Sequence, residues 1–167
     1  GQGTIGLEIL EDMPQVTDVI VSIGSGGLSG GVAAAIKSLK PEVNVWGAET
    51  VGAESMSISL DADEIVELNE ITSIARTLGA QRVGELNFEL AKRYLSGVTV
   101  VSDDEAVDEL LFLLDRSKIL TEPATSSTLA AAERLKSNFG PESHVVLILC
   151  GGNIGLRDLF KLRSTNW

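Results

Sequence analysis

A glycine-rich turn directly follows a short apolar run in the segment from Thr17 to Gly31. The turn consists of Gly24, Ser25, Gly26 and Gly27, and a stretch of small residues comes after it. Glycines accept positive φ angles, and because they lack a Cβ atom they let backbone N–H groups converge on an anion. A helix that begins at the turn adds favourable potential from its dipole. The pattern predicts a binding site for the phosphate of a phosphorylated cofactor.

Two more polar positions stand where chemistry could occur. Cys150 ends the last apolar run and is followed by Gly151, so its thiol would point toward whatever the first loop holds. A lone cysteine is more often a packed core residue. Glu122 lies between an apolar helix and Pro123 and could equally be a solvated loop carboxylate. At this point both interpretations of each residue stay open.

The glycine turn also allows other functions. Gly24 and Gly26 match the first two glycines of a dinucleotide fingerprint, but Ser29 stands at the third position. Glu49 could then bind a ribose hydroxyl, as in a nicotinamide oxidoreductase. A domain that holds phosphate without catalysis is a further alternative. A Walker A loop is excluded because no Gly-Lys-Ser/Thr follows, and the single histidine, His144, gives little support to a His-dependent triad or a multi-histidine metal site.

Strand and helix patterns alternate along the chain and must position these residues. The predicted strands are Val19–Ile23, Val43–Ala48, Val98–Val101 and His144–Leu149. The predicted helices are one capped by Thr4, then Leu28–Leu39, Gly84–Leu95, one that begins at the capping box Ser102–Glu105, Ser126–Asn138 and Leu156–Leu162. Residues 49–80 show helical spacing only from Met56 to Leu60. The alternation predicts an α/β fold with a parallel sheet, helices on both faces and ligands at the carboxyl ends of the strands.

Length and charge limit the classes of partner. The 167 residues, 44% of them hydrophobic, suffice for one core, so we expect a single domain over 1–167. The formal net charge of −11 makes nucleic acid and anionic membranes improbable partners. The single cysteine precludes an internal disulfide, and we expect a cytoplasmic protein with neither a signal peptide nor a transmembrane segment. The missing initiator Met suggests that the chain is part of a longer protein.

Five motifs in order carry a resemblance to a known family. GQGTIGLEIL, SIGSGGLSGG, WGAET, LTEPA and LCGGN resemble the C-terminal half of the fold-type II pyridoxal-phosphate enzymes, in particular threonine and serine dehydratases and serine racemase. The likeness runs nearly from Gly1 to Gly155. It implies an incomplete large domain of the tryptophan synthase beta-like fold. It also implies an ammonia-lyase that converts L-serine, L-threonine or a related hydroxy amino acid to a 2-oxo acid and ammonia, with racemisation as the sister outcome.

The resemblance also assigns roles to residues. The cofactor phosphate would lie at Gly24, Ser25, Gly26, Gly27 and Leu28, with Ser25 in place of a more usual glycine. Cys150, next to Gly151, would form a hydrogen bond with the pyridine nitrogen, and Glu122 would orient the cofactor ring. A cation, divalent or monovalent, would correspond to Glu49, Ala53 and Ser55, although Ser55 stands where the family has an aspartate.

The family's Schiff-base lysine is expected in the missing N-terminal half, because no lysine of this chain lies in a matching context. We therefore assign no catalytic residue to the chain, and we expect it to be inactive alone. The expected partners are a small amino-acid substrate, the N-terminal half and, through exposed apolar surface, further copies of the protein.

Overall fold

Four strands build one parallel sheet in a computed structural model that describes residues 1–164. The strands are β1 (Asp18–Ser22), β2 (Asn44–Thr50), β3 (Gly97–Val101) and β4 (Val145–Leu147). Their order is β3-β2-β1-β4, and Val19 of β1 lies opposite Val45 on one side and Val146 on the other. The predicted parallel sheet is confirmed; residues 165–167 of the predicted domain 1–167 lie outside the described residues.

Seven α-helices connect and cover the strands in the described part of the chain. They are α1 (Gly3–Asp12), α2 (Gly27–Leu39), α3 (Ser55–Ala62), α4 (Glu85–Tyr94), α5 (Asp103–Ser117), α6 (Pro123–Leu135) and α7 (Leu156–Ser164). Short 3-10 turns occur at Arg76–Leu78 and Lys136–Asn138. Within residues 1–164, no helix has both the length and the apolar character needed to cross a bilayer.

Apolar side chains pack on both faces of the sheet. Val19 and Val21 pack with the apolar side chains of α1 and α2, whereas Ile20 between them packs with Ala130 and Ala131 of α6. Successive side chains of a strand point to opposite faces, so a strand covered on both sides is apolar throughout. The prediction of helices on both faces is confirmed.

Some predicted helix starts are wrong. Thr4 does not cap α1, because Gln2 holds the N-cap position and the Thr4 hydroxyl donates to the Gly1 carbonyl at 2.8 Å. Helix α6 begins at Pro123 rather than Ser126. Proline fits the first helical position because its missing N–H would have no intrahelical acceptor there.

The capping box of α5 is confirmed. Ser102 Oγ accepts from the Glu105 N–H at 3.2 Å, and the Glu105 carboxylate accepts from the Ser102 N–H at 2.7 Å. Arg134 of α6 donates two hydrogen bonds of 2.7 Å to the same carboxylate. This ion pair, led by the hydrogen bonds from Arg134, lowers the pKa of Glu105 to about 2. The cap therefore also joins α5 to α6.

The connection order reverses at β1. The chain leaves β1 toward β2 on one side, while β4, which comes last in sequence, pairs with the other side of β1. In parallel sheets, a crevice for ligands forms where the carboxyl ends of two such strands diverge. The glycine turn follows β1 and Cys150 follows β4, so both predicted ligand segments lie at this switch point.

Candidate functional site

The turn between β1 and α2 presents a row of free backbone donors. Gly26 has a φ of +90°, a conformation that suits glycine and turns the chain into α2. In the described structure, the N–H groups of Ser25 and Gly26 meet no acceptor. The N–H groups of Gly27 and Leu28 belong to the first turn of α2, which has no intrahelical acceptors. These four donors, together with the helix dipole, make an anion-binding arrangement.

Two helices hold this turn in place from outside. The Asn87 side-chain amide of α4 donates to the Ser25 carbonyl at 2.8 Å. A Cβ atom on Gly26 would lie 2.8 Å from Asn87 Cβ and 2.8 Å from Met56 Cε, so only glycine fits. By contrast, no other described part of the chain comes within 4 Å of the corresponding point at Gly27. The turn is thus closed toward α3 and α4 and open where a ligand would enter.

Cys150 is exposed and follows the edge strand β4. Ser22, the last residue of β1, places its hydroxyl oxygen 3.2 Å from Cys150 Sγ. Thr125 of α6 places Oγ1 3.6 Å from the same sulfur and donates to the Gly151 carbonyl at 2.8 Å. Sequence reasoning missed Ser22, although a polar side chain at the end of an otherwise apolar buried strand was a signal.

Glu122 is not a solvated loop residue. It is the N-cap residue of α6 and only 9% exposed. Its carboxylate accepts a hydrogen bond from the Thr77 hydroxyl at 3.1 Å, and its N–H donates to the Gly151 carbonyl at 3.3 Å. A side chain on Gly151 would have to displace this carboxylate. Glu122 therefore lies beside the Cys150 turn, and its role at a cofactor ring stays a prediction.

A cavity of about 910 Å³ opens next to Glu122. Its lining includes the polar side chains Arg76, Thr77, Glu122, Asn153 and Lys161. On the α7 side, Lys161 forms an ion pair with Asp158 at 3.0 Å. The volume is within the range of pockets that bind small molecules, and its walls combine charged and neutral hydrogen-bonding groups.

Glu49 holds the N-terminus of α3. The side chain is 0% exposed, and its two oxygens accept from the N–H groups of Met56 at 2.9 Å and Ser57 at 2.8 Å. Burial raises the pKa of Glu49 to about 7, against the lowering effect of these two hydrogen bonds. No part of this carboxylate reaches the surface, where a ribose would have to bind, so the geometry disfavours the nicotinamide alternative.

Ala53 and Ser55 lie close to Glu49 in the chain and are also fully buried. Among the residues that the structure describes, Ser55 Oγ has no hydrogen-bond partner, and neither has Glu54 Oε2. Across residues 1–164, no three or more His, Cys, Asp or Glu side chains are grouped as a metal site would require. The unpartnered Ser55 hydroxyl leaves one free oxygen ligand beside Glu49, and a cation at these residues stays a prediction.

Comparisons with known proteins identify the family to which the chain is similar. The family described as "Pyridoxal-phosphate dependent enzyme" matches residues 1–151. The L-threonine ammonia-lyase of Thermotoga maritima is 40% identical over 162 residues, covering 97% of this chain and 40% of that protein. The catabolic L-threonine dehydratase TdcB of Escherichia coli is 37% identical over 163 residues, covering 97% of this chain and 50% of that protein.

A solved structure of a related enzyme has the same fold. Maize serine racemase superposes with a TM-score of 0.88 at 32% identity, covering 98% of this chain and 51% of that structure. The chain thus spans half or less of the length of the two curated relatives above. The family match includes the glycine turn after β1, Glu122 and the Cys150–Gly151 pair. With the family model matching most of its length, the chain belongs to the pyridoxal-phosphate-dependent enzyme family.

Proposed function

We propose that this chain is the cofactor-holding part of a pyridoxal-phosphate-dependent ammonia-lyase. The enzyme would convert L-serine, L-threonine or a related hydroxy amino acid to a 2-oxo acid and ammonia. The observation that carries the proposal is the placement of a four-donor glycine turn and an exposed thiol at the ends of the adjacent strands β1 and β4. The similarity to an L-threonine ammonia-lyase and an L-threonine dehydratase supports the reaction class.

The glycine turn would bind the cofactor phosphate. The N–H groups of Ser25, Gly26, Gly27 and Leu28 would donate to its oxygens, and the α2 dipole would add to the attraction. A chain with a net charge of −11 repels anions on average, so binding depends on these local donors. The Asn87 amide would keep the turn in its binding conformation by holding the Ser25 carbonyl.

The Cys150 thiol would donate a hydrogen bond to the ring nitrogen. When bound, pyridoxal phosphate supplies an electron sink for the α-carbon of an amino acid. A neutral thiol does not keep the ring nitrogen protonated as a carboxylate would, which moderates that sink and favours loss of a β-hydroxyl over transamination. Glu122, held by Thr77 and by the first turn of α6, would border the ring and fix its orientation.

The remaining chemistry needs groups from outside this chain. We assign the covalent lysine and the proton transfer at the substrate α-carbon to an N-terminal half. The half-exposed strand β4 lies at an edge of the sheet and offers a place for further chain to pair. Exposed apolar side chains such as Leu86 and Phe160 favour association with further copies of the protein. We also propose a cytoplasmic location.

The test is an assay of the full-length protein that contains this chain, loaded with pyridoxal phosphate. We expect L-threonine or L-serine to yield a 2-oxo acid and ammonia in equal amounts, measured by reduction of the oxo acid with a coupled dehydrogenase and by an independent ammonia assay. The loaded protein should release neither product from L-alanine, which has no β-hydroxyl. Absence of oxo acid with every hydroxy amino acid would overturn the proposed reaction.

Amino-acid racemisation is the second candidate. The structural similarity to maize serine racemase favours it. Chiral chromatography of the same reaction mixtures separates the two functions. Accumulation of D-serine without oxo acid would favour the racemase, and oxo acid without D-serine the lyase.

A cation beside α3 belongs to the same proposal. Glu49, Ala53 and Ser55 would hold it, with the free Ser55 hydroxyl oxygen as one ligand. We expect the thermal midpoint of the protein to rise when magnesium or potassium replaces a chelator-treated buffer. A Ser55→Ala variant should lose that rise, and an unchanged midpoint in the wild-type protein would argue against the site.

A further inference from the structure

Ser22 stands behind the Cys150 thiol as seen from the ligand crevice. Ser22 is 3% exposed, whereas Cys150 is exposed. In the part of the chain that the structure describes, Cys150 Sγ, at 3.2 Å, is the single hydrogen-bond partner of the Ser22 hydroxyl. Thr125 approaches the same sulfur from α6, at 3.6 Å.

The direction of these hydrogen bonds follows from a count of protons. A serine or threonine hydroxyl has one proton to donate, and a thiol has one proton and a weakly accepting sulfur. The Thr125 proton is directed to the Gly151 carbonyl at 2.8 Å, so Thr125 can only accept from the thiol. If the thiol donated to Ser22, the Ser22 proton would be buried without an acceptor, which is costly. The favoured arrangement has Ser22 donating to the sulfur.

In this arrangement the thiol can donate its own proton toward the open side of the site. We propose that Ser22 is a positioning residue that directs the Cys150 S–H toward the cofactor ring nitrogen. The inference rests on the proposed function for its ligand but not for the Ser22–Cys150 contact itself. When no ring is present, the thiol donates the same proton to Thr125 Oγ1.

Thiol alkylation tests the contact in the full-length protein without cofactor. A hydroxyl that donates to sulfur also stabilises the thiolate, which is the species that reacts with iodoacetamide. We expect Ser22→Ala to slow alkylation of Cys150 at pH 8 by about threefold or more, measured on the Cys150 peptide by mass spectrometry. Mere loosening of the site would expose the thiol and speed the reaction, so the direction of the change separates the two explanations.

Two variants serve as controls. Ser127→Ala removes a buried hydroxyl of α6 that donates to the Ala124 carbonyl, away from Cys150, and should leave the alkylation rate unchanged. Ser22→Thr keeps a hydroxyl and should restore a rate near that of the wild type. An alkylation rate in Ser22→Ala equal to or above that of the wild type would overturn the proposal.

A cofactor titration then tests the direction of the thiol proton. We expect Ser22→Ala to shift the absorption maximum of bound pyridoxal phosphate, with Ser127→Ala as the unshifted control. If the wild type binds no pyridoxal phosphate, the proposed function fails while the alkylation result still decides the Ser22–Cys150 contact. If the cofactor binds and Ser22→Ala leaves its spectrum unchanged, the proposed role of Ser22 at the ring is overturned.

Discussion

Substitution of Gly26 is expected to damage the phosphate turn in a way that substitution of its neighbour does not. Gly26 has a φ of +90°, and an alanine there takes a left-handed conformation that costs roughly 1–2 kcal/mol. Its Cβ would also lie 2.8 Å from Asn87 Cβ and from Met56 Cε. Relief of such crowding costs about 1–3 kcal/mol. Together these effects should lower the free energy of unfolding of Gly26→Ala by about 2–5 kcal/mol.

Gly27→Ala is the matched control. An added Cβ at Gly27 approaches no other described element within 4 Å, and the residue begins α2, where alanine is favoured. We expect its free energy of unfolding to change by less than about 1 kcal/mol. Pyridoxal-phosphate affinity should nevertheless fall in both variants, because each adds a methyl group next to the donors.

Urea denaturation followed by circular dichroism measures the stability difference. With an m-value of about 1–3 kcal/mol per molar urea, Gly26→Ala should lower the midpoint by about 1 M or more. A fluorescence titration with pyridoxal phosphate measures the affinity. Equal midpoints for Gly26→Ala and the wild type would refute the argument from backbone conformation and crowding.

Three further predictions concern Glu49, Glu105 and Asn87. Burial raises the pKa of Glu49 to about 7 from 4.5, so the folded state holds a proton that the unfolded state releases, and stability should fall by up to about 3 kcal/mol as pH rises through this range. Glu49→Gln should remove this decrease of the free energy of unfolding, measured by urea denaturation between pH 4 and pH 8. A decrease of unchanged size in the variant would refute the prediction. The pKa of Glu105 is lowered to about 2, chiefly by hydrogen bonds from Arg134. The ionised carboxylate therefore stabilises the folded state fully above pH 4.5, and this stabilisation disappears as the pH falls through 2. Because this carboxylate is 37% exposed, Glu105→Gln should cost only about 1 kcal/mol at pH 7 and almost nothing at pH 2, and an equal cost at both would contradict the assignment. Asn87→Ala should weaken pyridoxal-phosphate binding about threefold to tenfold in a fluorescence titration, because it removes the hydrogen bond to the Ser25 carbonyl. Substitution of the exposed Asn138 by alanine should leave the affinity unchanged. Equal affinities of Asn87→Ala and the wild type would refute the role of Asn87.

The features that local sequence predicts well are those whose causes are local. The Ser102–Glu105 capping box and the glycine turn each depend on residues within a few positions of one another. The alternation of strand and helix patterns likewise predicted the parallel sheet and the switch point. For Glu122 the sequence leaves a solvated loop open, although the proline after it is a readable signal for the first position of a helix.

The contacts that complete the site come from distant parts of the chain. Asn87 reaches Ser25 across 62 positions, and Ser22 reaches Cys150 across 128. No spacing rule links such residues, because the sheet order and the packing of α4 bring them together. Glu49 shows the same limit, since its position near the end of β2 suggested a ligand, while the fold uses both of its oxygens to cap α3.

The most direct measurement is a crystal structure of the full-length protein with pyridoxal phosphate bound. We predict phosphate oxygens within hydrogen-bond distance of the N–H groups of Ser25, Gly26, Gly27 and Leu28. The ring nitrogen should lie within hydrogen-bond distance of Cys150 Sγ, with Glu122 beside the ring. A phosphate bound away from this turn, or a ring nitrogen that faces a carboxylate instead of Cys150, would contradict the account.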